Sequence, residues 1–211
     1  MSRGRVLLWL LPALLYGSFW AWYTPLGGPL GAAEVRDILA RFDADGRDPG
    51  ELARLRGFLE QDSGGQIVMI NLLDLADAPP SLPATGPDAP AMALLDHYMA
   101  HMYPELLKRA SHPVFMGAAV AEAMDVVGIE GARQWSTAAL MRYRSRRDLM
   151  EIATHPGFAD RHEYKLAALD KTIAFPVEPQ LYLSDPRWLL ALLLIAVVAL
   201  TDVLTFGRGR G

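Results

Sequence analysis

Apolar positions along this chain fall into three regimes. Residues 6–23 run for 18 positions without a charge. At about 1.5 Å per residue such a helix reaches roughly 27 Å, close to the thickness of a bilayer core. Pro12 lies inside it, which membrane helices tolerate. Phe19, Trp20, Trp22 and Tyr23 gather at its far end, as an aromatic belt does. A second unbroken apolar run covers residues 188–200. Thr201 and Asp202 interrupt it before Val203-Leu204-Thr205-Phe206 extends it to 19 residues. The pattern predicts two membrane-spanning helices, with a cleaved signal peptide as the alternative for the first. Gly31-Ala32-Ala33 is a small-residue cleavage site, but far from the apolar stretch. Asp202 is costly in hydrocarbon, so it is expected near the interface or against another helix.

Between the ends the pattern is that of a globular protein. After the flexible Gly27, Gly28, Pro29, Gly31 stretch, Val35, Ile38, Leu39 and Phe42 recur at helical spacing. Leu52, Leu55, Phe58 and Leu59 do so again. The acidic turn between them lacks calcium ligands at both ends, because loop positions one and twelve would be Arg41 and Leu52. The run QIVMINLL at residues 66–73 predicts a strand, with Asn71 its polar interior residue. Residues 77–91 hold five prolines and predict a long surface loop. A helix is expected over 94–110, with Leu95, Met99, Met102 and Leu106 on one side and a kink at Pro104. Strands follow at 114–120 and 135–143, with Gly128 and Gly131 in the turn between them. Ser145 and Asp148 form a capping-box start for a helix to about residue 153. A helix over 158–170 and a strand within 172–183 complete the series. The order β-α-β-β-α-β predicts an α+β, ferredoxin-like domain. Its boundaries are 1–23 anchor, 24–63 linker and helical pair, 64–183 domain, and 187–206 second anchor.

Charge adds sidedness. Arg3 and Arg5 precede the first helix and Arg208 and Arg210 follow the second, against Arg36 and Arg187 on the domain side. The excess places both termini in the cytoplasm and the domain outside, in the periplasm or at the outer surface of a bacterium. From residue 24 to residue 186 there are 15 basic and 23 acidic residues, so this part carries 15 − 23 = −8. An acidic domain disfavours nucleic acid as a partner. The chain has no cysteine, which excludes disulfides, thiolate metal sites and thiol nucleophiles.

Five segments carry a family resemblance: QIVMINLL, the helix with Tyr98, VFMG at 114–117, the strand ending WSTAALMRYRS, and HPGFADRHEYKLAALDKT. Over about residues 64–179 the chain resembles the uncharacterised dimeric α/β-barrel domains known as domain-of-unknown-function family 1330. It departs from them in having Tyr143-Arg144-Ser145 where that family runs into Tyr-Pro-Ser, and in its flanking apolar helices. The resemblance implies a homodimer whose sheets face each other around a cleft. Related barrel superfamilies include cofactor-free oxygenases, so fold analogy suggests a cofactor-free oxidoreductase or isomerase.

Candidate chemistry is sparse. His97 and His101, four apart on a helix, lack a third metal ligand, so no metal or cofactor is expected. Asn71, Arg142 and Tyr143 lie near strand ends, with Arg142 and Tyr143 on opposite faces by alternation. With Tyr98, His101 and His162 they form the expected ligand-binding set. Arg142, Arg144, Arg146 and Arg147 form a basic cluster, either an anion site or a solvated rim. His162 shares its helix face with Phe158 and Leu166, so it is either a core-edge residue or a general base. The leading expectation is a membrane-anchored domain that binds a small molecule. The alternative is a non-catalytic structural or sensory interaction module. A cleft lined by Asn71, Tyr98, His101 and Arg142 would favour the first, and one filled by Met and Leu the second.

Overall fold

The computed structural model describes residues 2–44 and 46–207. Arg208 and Arg210, on which half of the sidedness argument rests, lie outside the described residues, as does Asp45 of the acidic turn. The chain divides into two compact units, residues 1–26 with 180–211 and residues 27–179.

The first unit is a helix pair. Its helices α1 (Arg3–Tyr23) and α7 (Pro186–Phe206) have 21 residues each and are long and apolar enough to cross a membrane. They pack antiparallel, and a polar clasp closes each end. Near the start of α1, Arg5 pairs with Asp202 at 2.6 Å, so the charge interrupting the second apolar run meets the first helix. At the other end Arg187 donates to Thr24 Oγ1 at 3.2 Å and lies over the Tyr23 ring.

The second unit carries α2 (Ala32–Ala44), α3 (Pro49–Glu60), β1 (Ile67–Leu75), α4 (Ala91–Lys108), β2 (His112–Ala118), β3 (Thr137–Tyr143), α5 (Arg146–Ala153), α6 (Pro156–Ala167) and β4 (Leu169–Val177). The antiparallel sheet has the order β2-β3-β1-β4. With α4 and the α5–α6 pair as its crossovers, this is the ferredoxin-like α+β arrangement.

Local chemistry explains the boundaries. Asp48 caps α3 by accepting from the backbone N–H groups of Gly50 and Glu51, and Pro49 takes the first helical position. Ser145 Oγ accepts from Asp148 N at 3.1 Å and starts α5. His155 caps α6, its Nδ1 accepting from Gly157 N at 3.2 Å. Gly64 has φ +76°, and an added Cβ would sit 2.7 Å from the backbone of Gly28 and Pro29. Only glycine fits where the linker crosses that turn. Ala110, with φ +50°, ends α4 in a left-handed residue, and Ser111 N closes the cap onto Leu106 O at 2.8 Å.

The stripe that α4 buries is Leu94, Tyr98, Met102 and Leu106. It is shifted by one position at Leu94 and Tyr98 from the expected line through Leu95 and Met99. The helix is apolar on two adjacent sides, because it faces both the sheet core and a cavity. The core gathers Ile67, Leu94, Leu106, Tyr143, Ile152 and Tyr164. A second cluster of Val35, Leu39, Leu59 and Met150 fastens α2 and α3 to α5, with Phe58 and Leu149 bordering both.

Candidate functional site

The ladder explains where the cavity forms. One row across all four strands reads Met116, Ala139, Asn71, Ala174 on the face that the helices cover. Two alanines flank Asn71, and helix side chains do not fill the space above them. The result is a cavity of about 300 Å³ between the sheet and α4, α5 and α6. That is at the lower end of the roughly 300–1,000 Å³ of small-molecule sites. Six of the nine methionines line it: Met69, Met92, Met99, Met102, Met116 and Met141. Methionine is soft and unbranched, so such walls adapt to a guest.

Polar groups converge on one part of this apolar space. Asn71 is buried, and its amide donates to Met69 O at 3.1 Å and Ala139 O at 3.2 Å. Those bonds fix the side chain and aim Oδ1 at Lys165 Nζ, 3.3 Å away. Tyr98 from α4 and Tyr143 from β3 are both buried and line the cavity. Burial pushes the Tyr143 hydroxyl up to about 12. It raises Tyr98 further, with Tyr143 adding to the effect. His162 stacks on Phe158 at 4.9 Å and meets the Tyr98 ring edge-on at 6.2 Å. Its Nδ1 is buried without a hydrogen-bond partner, and burial, then Lys165 and Arg47, depress its pKa. Burial likewise lowers that of Lys165. The environment thus works against charge on every one of these groups.

Of the six expected ligand-binding residues, Asn71, Tyr98, Tyr143 and His162 come together here. Arg142 and His101 do not line the cavity. Arg142 is fully buried on the opposite sheet face, donating to Gln66 Oε1 at 2.7 Å and to Ala110 O at 2.5 Å. It is a structural clamp, because the alternation that turns Tyr143 towards the helices turns Arg142 away from them. His101 instead packs on His155 at 5.3 Å and against Gly157. His97 packs against Tyr164 instead, ring centroids 4.4 Å apart and tilted by 50°, so the two histidines have different partners. No group of three or more metal-ligating side chains occurs among the described residues.

The basic cluster is dispersed as well. Arg144 pairs with Asp148 at 2.6 Å, Arg146 with Glu178 at 2.7 Å and with Phe58 O, and Arg147 with Glu34 at 2.7 Å. Arg144 thus closes a local pair at the start of α5, and Arg146 and Arg147 tie α5 to other segments. Sequence reasoning missed Lys165. It lies three residues after His162 and seven after Phe158, a helical spacing that puts all three on one face. The cavity also lies between sheet and helices of one chain, not between two facing sheets, because the register turns Asn71 and Tyr143 inward. It combines Asn71 and Tyr98 with a methionine-rich wall, so it meets part of each criterion for binding and for interaction.

No protein-family model matches the chain, and neither does any curated protein sequence. Among solved structures, a protein of unknown function from Rhodopseudomonas palustris is similar at 18% identity and TM-score 0.50, over 64% of this chain and 96% of that one. Its methylated form gives 17% identity and TM-score 0.51, over 66% and 96%. A dimeric ferredoxin-like protein of unknown function from Bacteroides fragilis aligns at 12% identity and TM-score 0.33, over 55% and 97%. At 17–18% identity the likeness to the Rhodopseudomonas palustris protein is one of fold.

Proposed function

We propose that this chain is a membrane-anchored protein whose α+β domain binds a small, largely apolar molecule in the cavity between its sheet and helices. One observation carries the reading: Asn71, Tyr98, Tyr143, His162 and Lys165 converge within an otherwise apolar, methionine-walled space. A few placed polar groups in an apolar cavity are the signature of small-molecule recognition. The same groups supply proton donors and acceptors next to a bound molecule, which suits a cofactor-free isomerase or oxidoreductase. We read the domain as one of the uncharacterised barrel domains that its segments resemble, with residues 64–183 as the binding domain, residues 24–63 as linker and helical pair, and 1–23 and 187–206 as anchors.

The uncovered sheet face supports a homodimer. Phe115, Leu140, Ile70 and Phe175 form a cross-strand row on it, with Leu72 paired to Ile173 beside them. Phe115 is 54% and Phe175 44% exposed. An antiparallel sheet seldom leaves so apolar a face to water. Two apolar helices at the ends, with Arg3 and Arg5 in the first turn of the first, support the anchored reading with cytoplasmic termini and the domain on the far side, in the periplasm of a bacterium.

The test is extraction of the purified full chain and mass spectrometry of what is released. A stoichiometric apolar compound, absent from an Ala139→Leu variant that keeps its stability, is expected. A chain that carries nothing and binds no apolar probe would overturn the reading. For the anchors, a reporter fused after Gly211 should be active only in the cytoplasm.

A further inference from the structure

Lys165 contrasts with the paired arginines of this unit. Arg144, Arg146, Arg147 and Arg109 each face a carboxylate within 3 Å. Among the described residues Lys165 makes no ion pair, and its one side-chain hydrogen bond is to the neutral Oδ1 of Asn71. The carboxylate among the cavity-lining residues, Asp96, lies on the exposed side of α4. An amine held in apolar surroundings without a counter-charge is destabilising, and folds rarely keep one without a use. Here it points into a space with room for a guest.

We propose that the cavity takes an apolar compound bearing one acidic oxygen group, a carboxylate, whose charge pairs with the Lys165 ammonium. This rests on the reading of the cavity as a binding site and names the ligand class. The methionine wall receives the apolar body. Tyr98 and Tyr143 line the same space, and their hydroxyls are the neutral donors the carboxylate would share besides the ammonium. Asn71 holds the amine in place without competing for the charge. The lowered pKa of Lys165 fits this arrangement: the free site disfavours the ammonium, and an arriving anion restores it. The titratable groups around the cavity are Asp96, Tyr98 and Tyr103 from α4, Tyr143 from β3, and His162 beside Lys165 on α6. Of these only Asp96 ordinarily bears negative charge near neutrality, and its place on the exposed side leaves the inner site for the ligand's own carboxylate.

The experiment uses the full chain in lipid nanodiscs with two isosteric probes, 2-naphthoate and 2-naphthamide, and reads binding by probe fluorescence at neutral pH. The carboxylate should bind about 10- to 100-fold more tightly than the amide, the worth of one charge-assisted hydrogen bond. Lys165→Met should abolish that preference, leaving the two probes equal in affinity. Its melting temperature without ligand should be unchanged or higher, since an uncompensated amine is gone from the cavity. Lys165→Arg, which keeps the charge, should retain the preference. Equal binding of the two probes to the unsubstituted chain would overturn the charge pairing and leave the cavity as a binding site. Failure of both probes to bind would overturn the two together.

Discussion

Arg142 separates structural from binding roles most cleanly. Its guanidinium is buried and donates to Gln66 Oε1 at 2.7 Å and Ala110 O at 2.5 Å, among other contacts. Ala110 is the left-handed residue on which α4 ends and from which the chain turns into β2. Arg142→Met keeps the apolar stem and removes the charged fork. Two hydrogen bonds from a charged donor, each worth about 1.5–3 kcal/mol, are lost, and a buried acceptor, Ala110 O, and a half-buried one, Gln66 Oε1, are left to find water. The expected cost is about 3–5 kcal/mol, in line with breaking other buried charged contacts. For a chain of this size each kcal/mol moves the midpoint by about 2–4 °C, so the loss is roughly 6–20 °C. The assay is thermal unfolding of the full chain in mild detergent followed by circular dichroism, alongside probe binding at a temperature where the variant is folded. Stability should fall and affinity should hold within about threefold, below the ~1.4 kcal/mol that a tenfold change requires. A variant that melts within about 2 °C of the parent yet no longer binds would refute the clamp and return Arg142 to the binding site.

Other outcomes follow from the same contacts. Ala110→Gly relieves the cost of a left-handed alanine and should stabilise the chain by about 0.5–1 kcal/mol, read as a higher denaturation midpoint; destabilisation would contradict the cap. Glu34 and Glu105 are held down to about 2, the first chiefly by Arg147 and the second by Lys108 and Arg109. Each therefore contributes stability that is complete above the ordinary carboxylate range near 4.5 and is lost as the pH falls through about 2. Glu105→Gln should flatten the melting curve against pH between those values, and an unchanged slope would show that the pairing does not matter. Replacing both Phe115 and Phe175 by Lys places charges on the uncovered sheet face and should turn a dimer into a monomer by light scattering; a dimer that persists would locate the interface elsewhere.

Much of this fold is legible in the sequence for physical reasons. QIVMINLL is bounded by Gly64-Gly65 and rich in β-branched residues, so its strand is unambiguous. Ser145 and Asp148 announce α5 because the cap uses side-chain chemistry that few other positions serve. The site is less legible. Alternation places Asn71 with Ile67 and Met69, but which face the helices cover follows from the complete register, not from one strand. The cavity itself depends on Ala139 and Ala174, small residues that carry no signal until the ladder sets them either side of Asn71. Arg142 reads as a cleft residue or part of a basic cluster because a strand arginine is seldom fully buried, and its burial depends on a turn 32 positions away. Lys165 hides in an amphipathic segment, where a lysine is ordinarily solvated.

The central claim is that the space above Asn71 is where this protein holds a small apolar molecule. Photolabelling of the full chain in nanodiscs with a diazirine-bearing apolar carboxylate tests it most directly. Peptide mapping should place the label on the cavity walls, in α4 around Met99 and Met102 and in α6 around His162 and Lys165, with competition by unlabelled 2-naphthoate and loss in Ala139→Leu. Labelling confined to α1 and α7, or unaffected by competitor and by Ala139→Leu, would contradict the account.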